Sequence, residues 1–238
     1  MQPNPVSISL SSYGADQVRE RGQIAFLEVL ANAGVDRVEL REELFTEPPD
    51  TARLKAAVAS RGLECLYSAP LELWTRQGRP DPQLPQALAT ARALGAVALK
   101  VSLGHFRAEC DLADLGPWLK PGDPLLLVEN DQTAYGGRLE ALLSFFQRAQ
   151  QAALPVGMTF DIGNWHWQGE SPGHAARHLG AGCATCTARR WRATPMAAWS
   201  PYRRSRASWR TGSACSPVSR QGCPGPWSIP WSVPTSPP

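Results

Sequence analysis

The sequence predicts an α/β protein: a (β/α)8 TIM barrel of which about six β/α units are present, followed by an irregular tail. Three observations carry this. Short apolar runs alternate with helical patterns as far as residue 180. The runs are apolar on consecutive positions, as expected of strands in a parallel sheet covered by helices. No Gly-x-Gly-x-x-Gly follows the first of them, so an open dinucleotide-binding sheet has little support. Right-handed crossovers then wind the strands into a barrel.

The elements follow in order. Val6–Leu10 is the first strand. Gln17–Ala33 has helical spacing, with Ile24, Phe26, Leu27 and Leu30 as its apolar positions and Gly34 placed to end it. Arg37–Arg41 is the second strand. Asp50 caps a helix over Thr51–Ser60, and Gly62 follows its end. Glu64–Ala69 is the third strand, and Pro85–Leu94 a helix that stops near Gly95. Ala98–Leu103 is the fourth strand. Leu112–Leu115 makes one short turn before Gly116 and Pro117. Leu125–Glu129 is the fifth strand, Gly137–Ala153 an amphipathic helix, Val156–Ile162 the sixth strand, and Gly173–Leu179 the start of a sixth helix.

The chain has 238 residues, 43% of them hydrophobic, enough for a packed core. No apolar run approaches the length that crosses a membrane. No basic stretch followed by an apolar one opens the chain, so a signal peptide is not expected and the cytoplasm is the default compartment. Charge divides the chain. All 21 acidic residues precede residue 181, against 16 basic ones, a net charge of −5. From Ala181 onward there are eight Arg and no Asp, Glu or Lys. That segment has no Leu or Phe, yet holds five of the nine Trp and four of the six Cys. Such usage is foreign to a folded domain. Residues 1–180 are therefore read as a partial barrel domain and 181–238 as an irregular tail.

In a parallel barrel, side chains at the carboxyl ends of the strands converge on one mouth. Those positions hold Ser11 and Ser12, Glu39 and Arg41, Ser68, Lys100 and Ser102, Glu129 and Asn130, and Asp161 and Asn164. Glu129 and Asp161 carry the sharpest signal, each following a run of apolar or β-prone residues. A carboxylate there is costly unless it is paired or binds a metal. Two oxygen donors from neighbouring strands suit Mn²⁺, Mg²⁺ or a similar ion; hydrogen bonds from a nearby loop, or pairing with Lys100 or Arg41, would equally account for them. Lys100 and Arg41 are candidates for a substrate carboxylate or phosphate, or for a structural ion pair. His166 is a candidate substrate contact or solvated loop residue. Trp165 and Trp167 are read chiefly as rim packing, and His174 and His178 as a solvated helix face.

Val-Glu-Asn-Asp at 128–131, Thr-Phe-Asp-Ile-Gly-Asn-Trp at 159–165 and Val-Glu-Leu-Arg at 38–41 resemble strand motifs of the xylose-isomerase-like sugar isomerase/epimerase family. Ser-Leu-Ser-Ser-Tyr-Gly at 9–14 and Leu-Tyr-Ser-Ala-Pro-Leu-Glu-Leu-Trp at 66–74 are similar to the epimerase branch found in bacterial 2-ketogluconate operons. The resemblance covers roughly residues 5 to 180. It implies a small sugar, keto-sugar or sugar acid as substrate, and proton transfer through an enediolate. It also implies one divalent metal held by Glu, Asp, His and Glu from the fifth to eighth strands. Glu129 and Asp161 match the first two ligands, and Glu129 is also one of two carboxylates flanking the substrate. Glu39, Arg41, Lys100, Asn130, Asn164 and His166 are the expected substrate contacts. The third and fourth ligands have no counterpart in the sequence as written. A homodimer rests on family analogy alone.

The tail reads as the final quarter of such a barrel in a shifted frame. Codons for Gly182–Arg189, read from their third base, allow Val-Arg-Tyr-Val-His-Cys-Lys, a strand ending in His. Pro226–Trp231 allows Val-Glu-Tyr-Pro-Leu, a strand carrying Glu, and Pro195–Trp199 allows Asp-Gly-Arg-Leu, a turn. The chain as written is then expected to be impaired, with strands one and six as open edges. Rival readings of the tail are a zinc site from Cys183, Cys186, Cys215 and Cys223, and nucleic-acid binding through the Arg- and Trp-rich stretch 189–210. For the whole chain, the alternatives are an endonuclease-IV-like nuclease of the same superfamily and a barrel remnant that binds nucleic acid through its basic tail. The acidic barrel part and only four His disfavour the nuclease, and the tail's lack of amphipathic period disfavours the remnant.

Overall fold

Alternation along the strands gives the sheet two different faces. Val38 and Leu40, Cys65 and Tyr67, Leu99 and Val101, Leu126 and Val128, and Met158 and Phe160 point to one face and join the main hydrophobic core. The residues between them point the other way. Near the amino ends, Leu66, Ala98 and Leu127 form a small separate apolar cluster. Towards the carboxyl ends the same face turns polar, with Glu39, Ser68, Lys100, Thr159 and Asp161 all buried. The outer face carries the hydrophobic driving force, which leaves the inner face available for chemistry.

The structure, a computed structural model, describes residues 5–187, with Ala181 described by its backbone alone. Seven parallel strands lie side by side in chain order: β1 (Ser7–Ser9), β2 (Arg37–Arg41), β3 (Glu64–Trp74), β4 (Ala98–Gly104), β5 (Leu125–Glu129), β6 (Val156–Asp161) and β7 (Cys183–Thr187). The sheet curls as part of a barrel. Helices occupy the crossovers: α1 (Ala15–Arg21), α2 (Leu27–Asn32), α3 (Thr51–Ala59), α4 (Leu84–Leu94), α5 (Leu139–Gln151), α6 (Ile162–Trp167) and α7 (Pro172–Leu179). Leu84, Leu88, Ala91 and Leu94 of α4, with Leu142 and Phe145 of α5, supply the matching apolar stripes. No helix among the described residues is long and apolar enough to cross a membrane.

Four features depart from the sequence reading. The expected helix over residues 17–33 is two helices, because Gly22 takes φ +74° and the chain restarts through a 3-10 turn at Gln23–Phe26. Strand β3 does not stop at Ala69 but runs to Trp74. Its register against β4 shifts between Ser68 and Glu72, and this irregularity accommodates Pro70 inside the strand. A short helix, α6, follows β6 directly, started by the Asp161 carboxylate accepting from Asn164 N at 3.0 Å.

The fourth departure is β7, which pairs with β6 as the sequence is written and carries the sheet seven residues past the boundary drawn at 180. The open edges of the described sheet are therefore β1 and β7, and β6 is covered. Ala184 and Cys186, which alternate with the inward Thr185 and Thr187, are exposed, so β7 lacks the buried outer face of its neighbours. Cys215, Cys223, the stretch 189–210 and the shifted-frame segments beyond Thr187 lie outside the described residues.

Candidate active site

A chain of ion pairs crosses the inner face from β2 to β5. Arg41 is held first: its backbone N–H donates to Gln23 Oε1 at 2.9 Å, and its carbonyl accepts from Gln23 Nε2 at 2.8 Å. Its guanidinium then reaches Glu39 Oε1 at 3.0 Å and Glu43 Oε1 at 2.5 Å. Lys100, 3% exposed, places Nζ 3.0 and 3.1 Å from the two Glu39 oxygens and 3.3 Å from Glu129 Oε1. Burial alone would raise the Glu39 carboxyl, but the charges of Lys100 and Arg41 override it and hold Glu39 below its ordinary value. Lys100 and Arg41 thus occupy a built ion-pair network, one of the two roles open to them from sequence.

Asn130 and Asn164, expected as substrate contacts, fasten the strand ends together. Asn130 is fully buried; its Oδ1 accepts from Asp161 N at 2.8 Å and its Nδ2 donates to Asp161 O at 2.9 Å. Asn164 Nδ2 donates to Asn130 O at 2.8 Å, and Asn164 Oδ1 accepts from Gln132 Nε2 at 3.1 Å. The Asn130 amide therefore extends the β5–β6 ladder by one rung and fixes the backbone that aims Asp161. Asn130→Ala leaves two buried backbone groups of Asp161 without these bonds and is expected to cost about 2 kcal/mol. Urea denaturation measures this, and an unchanged midpoint would show that the rung is dispensable.

Glu129 and Asp161 end adjacent strands, as read from sequence, and Asp161 is wholly buried. His166 lies in the last turn of α6 and is exposed. The four His do not converge: His105 follows β4, His166 sits on α6, and His174 and His178 lie together on α7 with Nε2 atoms 3.1 Å apart. This dispersal weakens the multi-zinc nuclease reading.

The sequence reading missed a second polar group on the β3–β5 side of the mouth. Glu72 on β3 accepts from Tyr135 Oη at 2.7 Å and lies 3.8 Å from His105 Nε2. The His105 and Tyr135 rings stack with centroids 3.6 Å apart. Asp131 accepts from Thr133 N at 2.8 Å and Thr133 Oγ1 at 2.6 Å. Burial raises the Asp131 carboxyl, against its Thr133 hydrogen bonds, and the Glu72 charge adds to the rise. The hydrogen bond to Glu72 raises the Tyr135 phenol. The signal was present as Leu71-Glu72-Leu73, a charge between two buried leucines, but ending the third strand at Ala69 hid it.

Hard oxygen donors at Glu129 and Asp161 suit a divalent metal. Thr187 stands opposite Asp161 in the register of β7, where the resemblance implies a His. Among the described residues no group of three or more metal-ligating side chains forms, and Glu129 and Asp161 are two of the four ligands the resemblance implies.

Fold and site together define part of a parallel β/α barrel whose polar inner face opens at the carboxyl ends of the strands. Three solved structures are similar to the chain. L-ribulose 3-epimerase shares 19% identity at a TM-score of 0.58, over 77% of this chain and 69% of that one. A xylose isomerase domain containing protein from Salmonella typhimurium LT2 shares 15% at 0.57, over 78% and 72%. D-psicose 3-epimerase shares 13% at 0.56, over 76% and 71%. No family model matches the chain. No curated protein matches it either.

Proposed function

We propose that this fold serves a sugar isomerase or epimerase that moves a proton next to the carbonyl of a small sugar, keto-sugar or sugar acid. The observation that carries the reading is the placement of Glu129 and Asp161 at the ends of β5 and β6, on the polar inner face. The similarity in fold to two epimerases supports it. Glu129 is the carboxylate that takes and returns the proton, and the Lys100 ammonium at 3.3 Å fixes its position. Asn130 and Asn164 hold Asp161 in place. A divalent metal bound by Glu129 and Asp161 would polarise the substrate oxygens.

The same reading holds that residues 181–238 derive from a shifted frame, whose restoration supplies the missing His and Glu. The chain as written is then an impaired form of the enzyme. The test compares the chain as written with a frame-restored chain. Mn²⁺ titration followed by electron paramagnetic resonance is expected to give a dissociation constant on the order of millimolar, or weaker, for the first. The restored chain should bind at least tenfold more tightly and interconvert ketohexose epimers, and Asp161→Asn should weaken both chains. Equal Mn²⁺ affinity in the two chains, unaffected by Asp161→Asn, would remove Asp161 from the metal site and the shifted frame from the account.

A further inference from the structure

The second polar group addresses which sugars the mouth accepts, and the argument rests on the isomerase reading above. Glu72 is in register with Ser102, and Ser102 with Glu129. Glu72 therefore stands two strands from the proposed base, about 10 Å at parallel-strand spacing. That is comparable to the length of an extended hexose. A hexose extended across the strands from Glu129 would reach Glu72.

The chemistry of that end is one-sided. Glu72 presents one carboxylate there and Asp131, in the loop after β5, a second, while the Ser102 hydroxyl donates to Leu71 O at 3.1 Å. Tyr135 gives its single phenolic proton to Glu72. The subsite is thus rich in acceptors and poor in donors. Sugar hydroxyls donate and fit it; ionised phosphate and carboxylate groups only accept, and they carry negative charge.

The cations nearby are already engaged. Lys100 is shared by Glu39 and Glu129, and Arg41 by Glu39 and Glu43. Arg107 is held by Arg76 O and Glu109. His105 faces Glu72 itself. Arg76 lies on the exposed turn after β3. It is one cation against the two carboxylates.

We propose that Glu72, Asp131, His105 and Tyr135 form a subsite for the hydroxylated end of an uncharged sugar, and that it turns away sugar phosphates and sugar acids. This narrows the substrate class to neutral sugars.

The test is isothermal titration of the full chain with D-fructose, D-fructose 6-phosphate and 2-keto-D-gluconate at low ionic strength. D-Fructose should bind at least tenfold more tightly than either anion. Raising the salt concentration should narrow that gap, because it screens the repulsion. The E72Q/D131N double variant, checked for folding by circular dichroism, should narrow it severalfold at low salt. Tighter binding of either anion, or a gap that neither salt nor the double variant changes, overturns the inference and leaves the isomerase reading standing. Binding of none of the three by either the chain as written or the frame-restored chain defeats the isomerase reading, and the inference with it.

Discussion

Lys100→Met is expected to destabilise the protein by about 3 kcal/mol at neutral pH, the usual cost of removing one partner from a buried charge network. Lys100 Nζ is the link between Glu39, 10% exposed at its side chain, and Glu129, 15% exposed. Methionine fills the volume but leaves two carboxylates facing a methyl group. Arg41 still serves Glu39, which keeps the loss below that of a fully stranded pair. The pH dependence has a definite sign. Because the folded-state value of Glu39 lies below its ordinary 4.5, its contribution is present above about pH 4.5 and is lost as pH falls through the folded value. In the variant the part of that contribution owed to Lys100 is lost. The difference from wild type should therefore be largest near pH 7 and narrow below about pH 4.5. Adding Glu39→Gln to the Met variant should recover at least about 1 kcal/mol, since it removes one of the two carboxylates that lost Lys100 and leaves Arg41 to Glu43. Urea denaturation across pH measures all three. A Met variant within about 1 kcal/mol of wild type at pH 7 would mean the lysine is dispensable to the network.

Strands β2 to β6 were legible because each carries two or more buried aliphatic or aromatic residues on its outer face, and an apolar run survives any choice of register. Their inner faces were less so. Leu125–Glu129 reads as a continuous apolar run, and only pairing separates Leu127, in the inner cluster, from Leu126 and Val128, in the outer core. Glu129 and Asp161 were identified because a charge after such a run is visible without knowing the pairing. Glu72 was not, because Pro70 reads as a strand end and only the third dimension shows a bulge absorbing it. Asn130 reads from sequence as a substrate contact and in the structure bonds the Asp161 backbone, because a polar residue beyond a strand end is placed equally well to meet substrate or to cap a neighbouring backbone. The helix α6 escaped notice since its start depends on the Asp161 side chain, a residue already given a different role. Strand β7 has the opposite character. Cys-Ala-Thr-Cys-Thr offers little apolar surface, and the strand forms as an edge on β6 without a buried outer face of its own.

Gly104→Ala is expected to cost about 3 kcal/mol or more, and to disturb the mouth as well as the fold. Gly104 ends β4 at φ +69°, a conformation that charges any residue with a Cβ roughly 1 kcal/mol. The added methyl would also lie 2.5 Å from Trp74 O and 2.7 Å from Glu72 Cβ. Trp74 O is backbone, fixed by accepting from His105 N at 2.8 Å, and Trp74 is wholly buried, so little can move aside. Overpacking of this kind adds about 2 kcal/mol. The close approach is what brings β3 beside the start of the next loop, and with it Glu72 beside His105. Forcing the two apart should lower the denaturation midpoint and also break the Tyr135–Glu72 hydrogen bond. The second effect is readable as a fall of the Tyr135 phenol towards its ordinary value in an ultraviolet titration, against a Tyr135→Phe control that identifies its signal. A Gly104→Ala chain with wild-type stability and an unmoved Tyr135 titration would show that β3 and β4 have room to separate there, and that the Glu72–His105–Tyr135 arrangement does not depend on glycine at this position.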